Sequence, residues 1–305
     1  MFGLQRWQVE NTVKLIDEGN TIPFIARYRK EAHGTLDDQV LRELSEKLEY
    51  LRNLDKRREE ISASITAQEK MTPEIEAALE KASTLAEIED IYRPFRPKRR
   101  TRASIAKEKG LEPLADAIFA QTADSASPTE LAADYIDAEK GVETVEDAIN
   151  GAMDIIAENI SDDADIRRRL RSLFTVAGVL QSRAADSEKE SVYTMYYEYD
   201  EPVNKIAGHR VLAVNRGENE GFLKVGIDVD RIKALNIINA NVLSDNGSAC
   251  TDTVRDAAAD AYDRLIFPSV EREIRNMITD SAVESALKVF YVNLRELLLQ
   301  PPVKG

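Results

Sequence analysis

Between Leu36 and Ile65 the apolar side chains fall at Leu36, Val40, Leu41, Leu44, Leu48, Leu51, Leu54, Ile61 and Ile65, in steps mostly of three, four or seven. That spacing lines one side of a 3.6-residue helix and neither face of a strand. A helix of about thirty residues is about 45 Å long, more than the width of a small domain. It therefore has to act as a spine against which shorter helices lie.

The flanking segments supply such helices. Gln8–Glu18 carries Val9, Val13, Leu15 and Ile16 on one face and is closed by Gly19-Asn20. Thr21 is placed to cap a second helix, with Pro23 in its first turn, running to about Lys30; Thr35 with Asp38 forms the capping pattern expected ahead of the spine. Thr72-Pro73, Thr84 with Glu87, and Ser127-Pro128 with Glu130 each mark a further helix start. Helices are also expected over 111–120, 145–159, 165–175 and 251–265, and from Pro268 to about Leu299, ending at Pro301-Pro302. Ser191–Tyr199 fits alternation and helical spacing equally. Phe222–Val229 alternates and reads as a strand, a minor β element in a mainly α multi-helix assembly.

Ten Pro and thirteen Gly are few for 305 residues, which disfavours a turn-rich β architecture. No apolar run approaches the length of a membrane span, and Met1–Val9 has no signal-peptide pattern. A lone cysteine, Cys250, forms neither an internal disulfide nor a thiolate cage. These features predict a cytoplasmic protein.

The net charge of −14 argues against a polyanionic partner until its distribution is considered. Ile91–Lys109 holds eight bases and one acid, whereas Leu111–Asp200 holds seven bases and twenty acids. The basic stretch RPFRPKRRTR contains two prolines and reads as an extended arm rather than a helix. Arg93, Arg96, Lys98, Arg99, Arg100 and Arg102 on such an arm suit a phosphate backbone, with Tyr92 or Phe95 stacking on a base. The same bases equally suit internal pairing with acids such as Glu143, Glu146 and Asp147. Arg27, Arg29 and Lys30 form a second basic cluster, explained either as the polar face of a short helix or as a further nucleic-acid contact.

Signs of catalysis are scarce. His33 and His209, the only histidines, have no metal-ligand spacing, and no Gly-rich phosphate loop or G-x-S-x-G is present. The pairs Asp162-Asp163 and Glu271/Glu273 read as helix caps or exposed carboxylates, and Cys250 as a structural thiol. In HRVLAVNRGENE (209–220), Gly217 reads as a helix C-cap. The expectation is a chain that is not an enzyme and uses no cofactor or metal.

The blocks TIPFIARYRKE (21–31), TLAEIEDIYRPFRPKRRTRASIAKEKGLEPLADAI (84–118), HRVLAVNRGENEG (209–221) and FPSVEREIRN (267–276), with LLLQPPVKG at 297–305, resemble the Tex family of bacterial transcription accessory proteins along nearly the whole chain. The resemblance implies a helix-turn-helix-like N-terminal region over 1–70, including the start of the long helix, and a central helical scaffold over 71–305. It also implies that this is a piece of a longer protein whose RNase-H-like YqgF domain, helix-hairpin-helix motifs and OB-fold RNA-binding domain lie beyond Gly305. The function so implied is a non-catalytic module that contributes to RNA or single-stranded DNA binding and positions the other domains. The alternative is a scaffold docking on RNA polymerase, its basic arm paired internally.

Overall fold

The computed structural model describes residues 3–96 and 100–300. The chain is mainly α-helical and divides into two compact units, Met1–Arg96 and Pro97–Gly305.

The first unit opens with α1 (Arg6–Asp17), α2 (Ile22–Tyr28) and α3 (Lys30–His33), followed by the long α4 (Asp38–Ala67). The second helix stops at Tyr28 rather than Lys30, because Arg29 adopts φ −128° and breaks the run. The cap of α4 is Asp37, whose carboxylate accepts from the Gln39 N–H at 2.8 Å. Thr35 does not serve; its backbone is left-handed (φ 59°) and its hydroxyl turns back to the Gly34 carbonyl.

The apolar stripe of α4 is buried at both ends, with Leu41 and Leu44 near its start and Leu54, Ile61 and Ile65 toward its end, while Leu51 between them is 44% exposed. The early part meets α1 and α2; the later part forms a core with α5 (Pro73–Lys81) and α6 (Leu85–Tyr92) through Leu79, Ala82 and Ile88. Each fully buried aliphatic side chain contributes about 1.5–3 kcal/mol. Because α5 and α6 share the core of the spine, the first unit extends to Arg96.

The second unit comprises α7 (Arg102–Glu108), α8 (Glu112–Ala120), α9 (Pro128–Ala133), α10 (Val145–Asp162), α11 (Ala164–Ala177), β1 (Val179–Ala184), β2 (Glu198–Pro202), α12 (Gly208–Asn219), β3 (Leu223–Asp228), α13 (Arg231–Val242), α14 (Thr251–Asp260) and α15 (Phe267–Leu298). α10 is its hub. Ala148, Ala152, Ile155, Ile156 and Ile160 are buried, and α7, α8, α9 and α14 pack around it. The small alanines let these helices approach closely.

The strand expected near 222–229 is present as β3, but it belongs to a three-stranded antiparallel sheet of order β2-β1-β3. β1, buried at Leu180 and Ser182, pairs with both neighbours, and the ambiguous tyrosine segment becomes a 3₁₀ turn (Thr194–Tyr196) running into β2. A wide π-helical turn, Ala261–Ile266, joins α14 to α15 without a loop. Beyond Ala282, α15 is exposed along its length, with the apolar Leu287, Phe290 and Leu298 each more than 60% exposed beside charged residues such as Glu284 and Lys288. The expected stop at Pro301-Pro302 lies outside the described residues.

Candidate nucleic-acid interface

The α2–α3 segment is built by one inward residue. Ile25 is fully buried, and helical spacing then turns Phe24, Arg27 and Tyr28 outward. The segment is held from behind by His33, also fully buried: its Nδ1 accepts the Leu36 N–H at 3.0 Å, which leaves Nε2–H to donate to the Ile25 carbonyl at 3.2 Å. Gln8 and Asn11 of α1 donate to the carbonyls of His33 and Ala32. Gly34 closes α3 at φ 66°, where a β-carbon would lie 2.7 Å from the Trp7 ring.

On this base, Phe24 and Tyr28 pack ring to ring with centroids 5.2 Å apart, and the Arg29 guanidinium lies 5.6 Å from the Phe24 centroid. Arg27, Arg29 and Lys30 are exposed, and among the described residues none has a carboxylate partner. Thr21–Lys30 contains no acid at all.

The second basic segment is helical at its two ends. Arg93 begins a 3₁₀ turn (Arg93–Phe95) that prolongs α6, and Arg102 is the first residue of α7, capped by Thr101. Proline at the second position of the turn is compatible with helical φ, so α6 winds on through Phe95, whereas Arg96 and Thr101 are extended and residues 97–99 lie outside the described residues. Arg96 pairs with Glu89 at 2.6 Å, and the other oxygen of Glu89 takes Arg57 at 2.6 Å. Arg100 pairs with Glu108 at 3.2 Å. Arg102 is exposed, and its field, with that of Arg264, opposes the upward push that burial gives the Asp154 carboxyl. Lys98 and Arg99 lie outside the described residues.

The counter-charges of Arg96 and Arg100 are thus Glu89 and Glu108, close by in sequence, and Lys107 pairs with Glu112 at 2.7 Å. Asp147 closes a capping box with Thr144, which holds its carboxyl down, and the field of Lys109 adds to that. Tyr92 and Phe95 are not presented for stacking. The Tyr92 hydroxyl lies 3.0 Å from that of Ser64, its ring has Arg57 and Arg96 within 5.9 Å, and Phe95 packs against the core of the first unit. The outward aromatic pair is Phe24–Tyr28, which the sequence reading overlooked. Its signal was the i,i+4 spacing around the apolar Ile25.

Elsewhere, an open cleft of about 740 Å³ is lined by Asn215, Arg216, Glu218, Glu271, Arg272 and Arg275, among others. Glu271 is not a cap; burial pushes its carboxyl upward, partly offset by Arg275. Glu273 is not merely solvated either, since Arg171 Nε reaches it at 2.5 Å. Asp163 does cap α11, accepting from the Ile166 N–H at 2.8 Å, but Asp162 is buried at the end of α10. Gly217 lies inside α12, not at its end, with Glu220 as the C-cap. Cys250 is fully buried and desolvation pushes its thiol up. Among the described residues no cluster of three His, Cys, Asp or Glu could hold a metal, and no helix is long and apolar enough to cross a membrane.

Two family models match, Tex-like protein N-terminal domain over residues 1–66 and Tex central region-like over 123–290. The chain belongs to the Tex family. It is 44% identical over 99% of its length to the Bacillus subtilis protein YdcI, and 36% identical over 97% of its length to the transcriptional accessory protein Tex of Neisseria gonorrhoeae. It is also 30% identical, over 99% of its length, to the human S1 RNA-binding domain-containing protein 1. The chain spans 42%, 39% and 32% of those three relatives, respectively.

Proposed function

We propose that this chain is a non-catalytic helical module of a cytoplasmic transcription accessory protein, one that contributes to nucleic-acid binding and positions the remaining domains. The observation that carries the reading is the set of three exposed cations, Arg27, Arg29 and Lys30, without carboxylate partners beside two outward rings. A cation already neutralised gains little from a phosphate, whereas these three are unspent. The basic residues at 93–102 carry further positive charge along the sequence, although Arg96 and Arg100 are partly neutralised. The tight turn at Gly19 between α1 and α2 supports a helix-turn-helix-like arrangement of this region, with α2 presenting its outward residues to the nucleic acid. The names of the gonococcal and human relatives, which speak of transcription and of an S1 RNA-binding domain, agree with it.

Titration of labelled single-stranded RNA and DNA tests the proposal. Three phosphates neutralised predict an affinity loss of about twentyfold between about 50 and 200 mM salt. The Arg27→Ala, Arg29→Ala, Lys30→Ala triple variant should bind weakly with a flatter salt response. Binding that survives the triple substitution unchanged excludes the cluster.

A second reading, a scaffold docking on RNA polymerase, is favoured by the naked distal half of α15. An exposed apolar stripe such as Leu287, Phe290, Leu294 and Leu298 is one that protein ordinarily covers. Phe290→Asp with Leu294→Asp should abolish co-sedimentation with purified polymerase if this reading holds, and leave oligonucleotide binding intact.

A further inference from the structure

We infer that Phe24 and Tyr28 form a base-stacking platform, so that the nucleic acid taken by the α2–α3 face is single-stranded rather than duplex. The inference rests on the nucleic-acid reading above and adds the class of ligand.

Three observations converge on it. First, the rings are spare parts of the fold. Ile25 supplies the core contact of α2, while Tyr28 is 64% and Phe24 37% exposed, and no partner for the Tyr28 hydroxyl occurs among the described residues. Tyr92, Phe95, Phe174 and Tyr262 are packed into cores, and the exposed Phe290 and Tyr291 of α15 lie in the acidic-and-basic mixed stretch 284–296 rather than beside a cluster of cations alone. Second, the two rings are tilted by 43° at 5.2 Å. They are close enough to act together and leave flat apolar surface facing solvent. Third, Arg27, Arg29 and Lys30 occupy the same seven-residue stretch as the rings, which brings phosphate-binding charge within one nucleotide's reach of a π-face.

A duplex satisfies the charges but not the rings, because its base faces are already stacked on one another and only their edges are accessible. An unpaired strand satisfies both: its backbone meets the cations while a splayed base covers Tyr28 or Phe24. A rigid ring with few rotors orders at low entropic cost, so it is suited to an exposed contact.

The test uses the whole chain and a fluorescein-labelled oligouridine of about twelve nucleotides, with a hairpin duplex of equal charge as comparator. The expected result is preference for the single strand by at least about tenfold. Tyr28→Leu should lose roughly five- to a hundredfold in single-strand affinity, keep the wild-type salt slope, and leave duplex binding unchanged; Tyr28→Trp should restore it. Equal affinity for strand and hairpin, or wild-type binding by both Tyr28→Leu and Phe24→Leu, overturns the platform. A triple cation variant that binds as wild type while Tyr28→Leu does not would instead overturn the charge assignment and leave the platform standing. Competition by polyglutamate equal to that by oligouridine would mark the face as an acidic-peptide site and overturn the inference. The rings are exposed, so circular dichroism melts of the Leu variants should match the wild type.

Discussion

Arg275 on α15 grips Glu218 on α12 across 57 positions of sequence, its two terminal nitrogens lying 3.1 and 2.6 Å from the two carboxylate oxygens. The same guanidinium donates to the Val225 carbonyl and the Asn215 side chain, so one planar group ties α12, β3 and α15 together. Arg275→Leu strands a half-buried carboxylate and a strand carbonyl, and should cost about 2–4 kcal/mol in urea unfolding. Arg275→Lys should recover little, since an ammonium cannot reproduce the fork. A midpoint equal to wild type for either variant would contradict this role.

Gly217 is needed for space, not for its backbone freedom. A β-carbon there would lie 2.5 Å from Leu223 Cδ1 and 3.1 Å from the Tyr193 ring, and Leu223 is itself buried. Gly217→Ala gains about 1 kcal/mol of helix propensity and loses about 1–3 kcal/mol to overpacking. The expected net is destabilisation, relieved when Leu223→Val is added. Additive effects in that pair would argue against direct contact.

Glu271 predicts a pH response of unusual sign. Its folded carboxyl is raised by burial, with Glu218 adding to the rise and Arg275, Arg272 and the Ile227 backbone opposing it. The folded state therefore binds more protons than the unfolded chain above the ordinary carboxylate range, and stability contributed by the protonated form is lost as pH rises through the raised value. Glu271→Gln should flatten this part of the stability profile above the ordinary carboxylate range. Chemical denaturation at several pH values measures it, and parallel profiles for the two proteins would refute it.

Cys250 should be silent toward thiol reagents in the native protein. It is fully buried, its Sγ faces the Ala126 carbonyl at 3.7 Å, and desolvation disfavours the thiolate. Labelling by Ellman's reagent should therefore track global unfolding in denaturant. Rapid stoichiometric labelling of folded protein would show the site opens locally.

Much of the fold was legible because its signals are local. The 30-residue spine, the capping boxes at Thr84 and Ser127, and the strand at 223–228 follow from periodicity and from side chains three positions apart. The failures share a cause, which is tertiary context. β1 is legible only when both neighbouring strands are in place to bury Leu180 and Ser182. α13 hides its pattern because Ile232 is exposed while the small Ala234 is buried. At the candidate interface the cations Arg27, Arg29 and Lys30 were apparent from sequence. That they are unpaired, while Arg96 and Arg100 are not, depends on where Glu89 and Glu108 fall in space.

The wide turn between α14 and α15 makes chain length there as strict a variable as residue type. Val254, Ala258, Tyr262, Ile266, Val270 and Ile274 are all buried, one every four residues. On a regular helix each step of four advances roughly 40°, so five such steps would carry the stripe about 200° around the rod and out into solvent. The turn at Ala261–Ile266 closes its hydrogen bonds one residue later and takes back part of that drift. Removing one residue from it would leave a perfectly good helix with its following face aimed the wrong way.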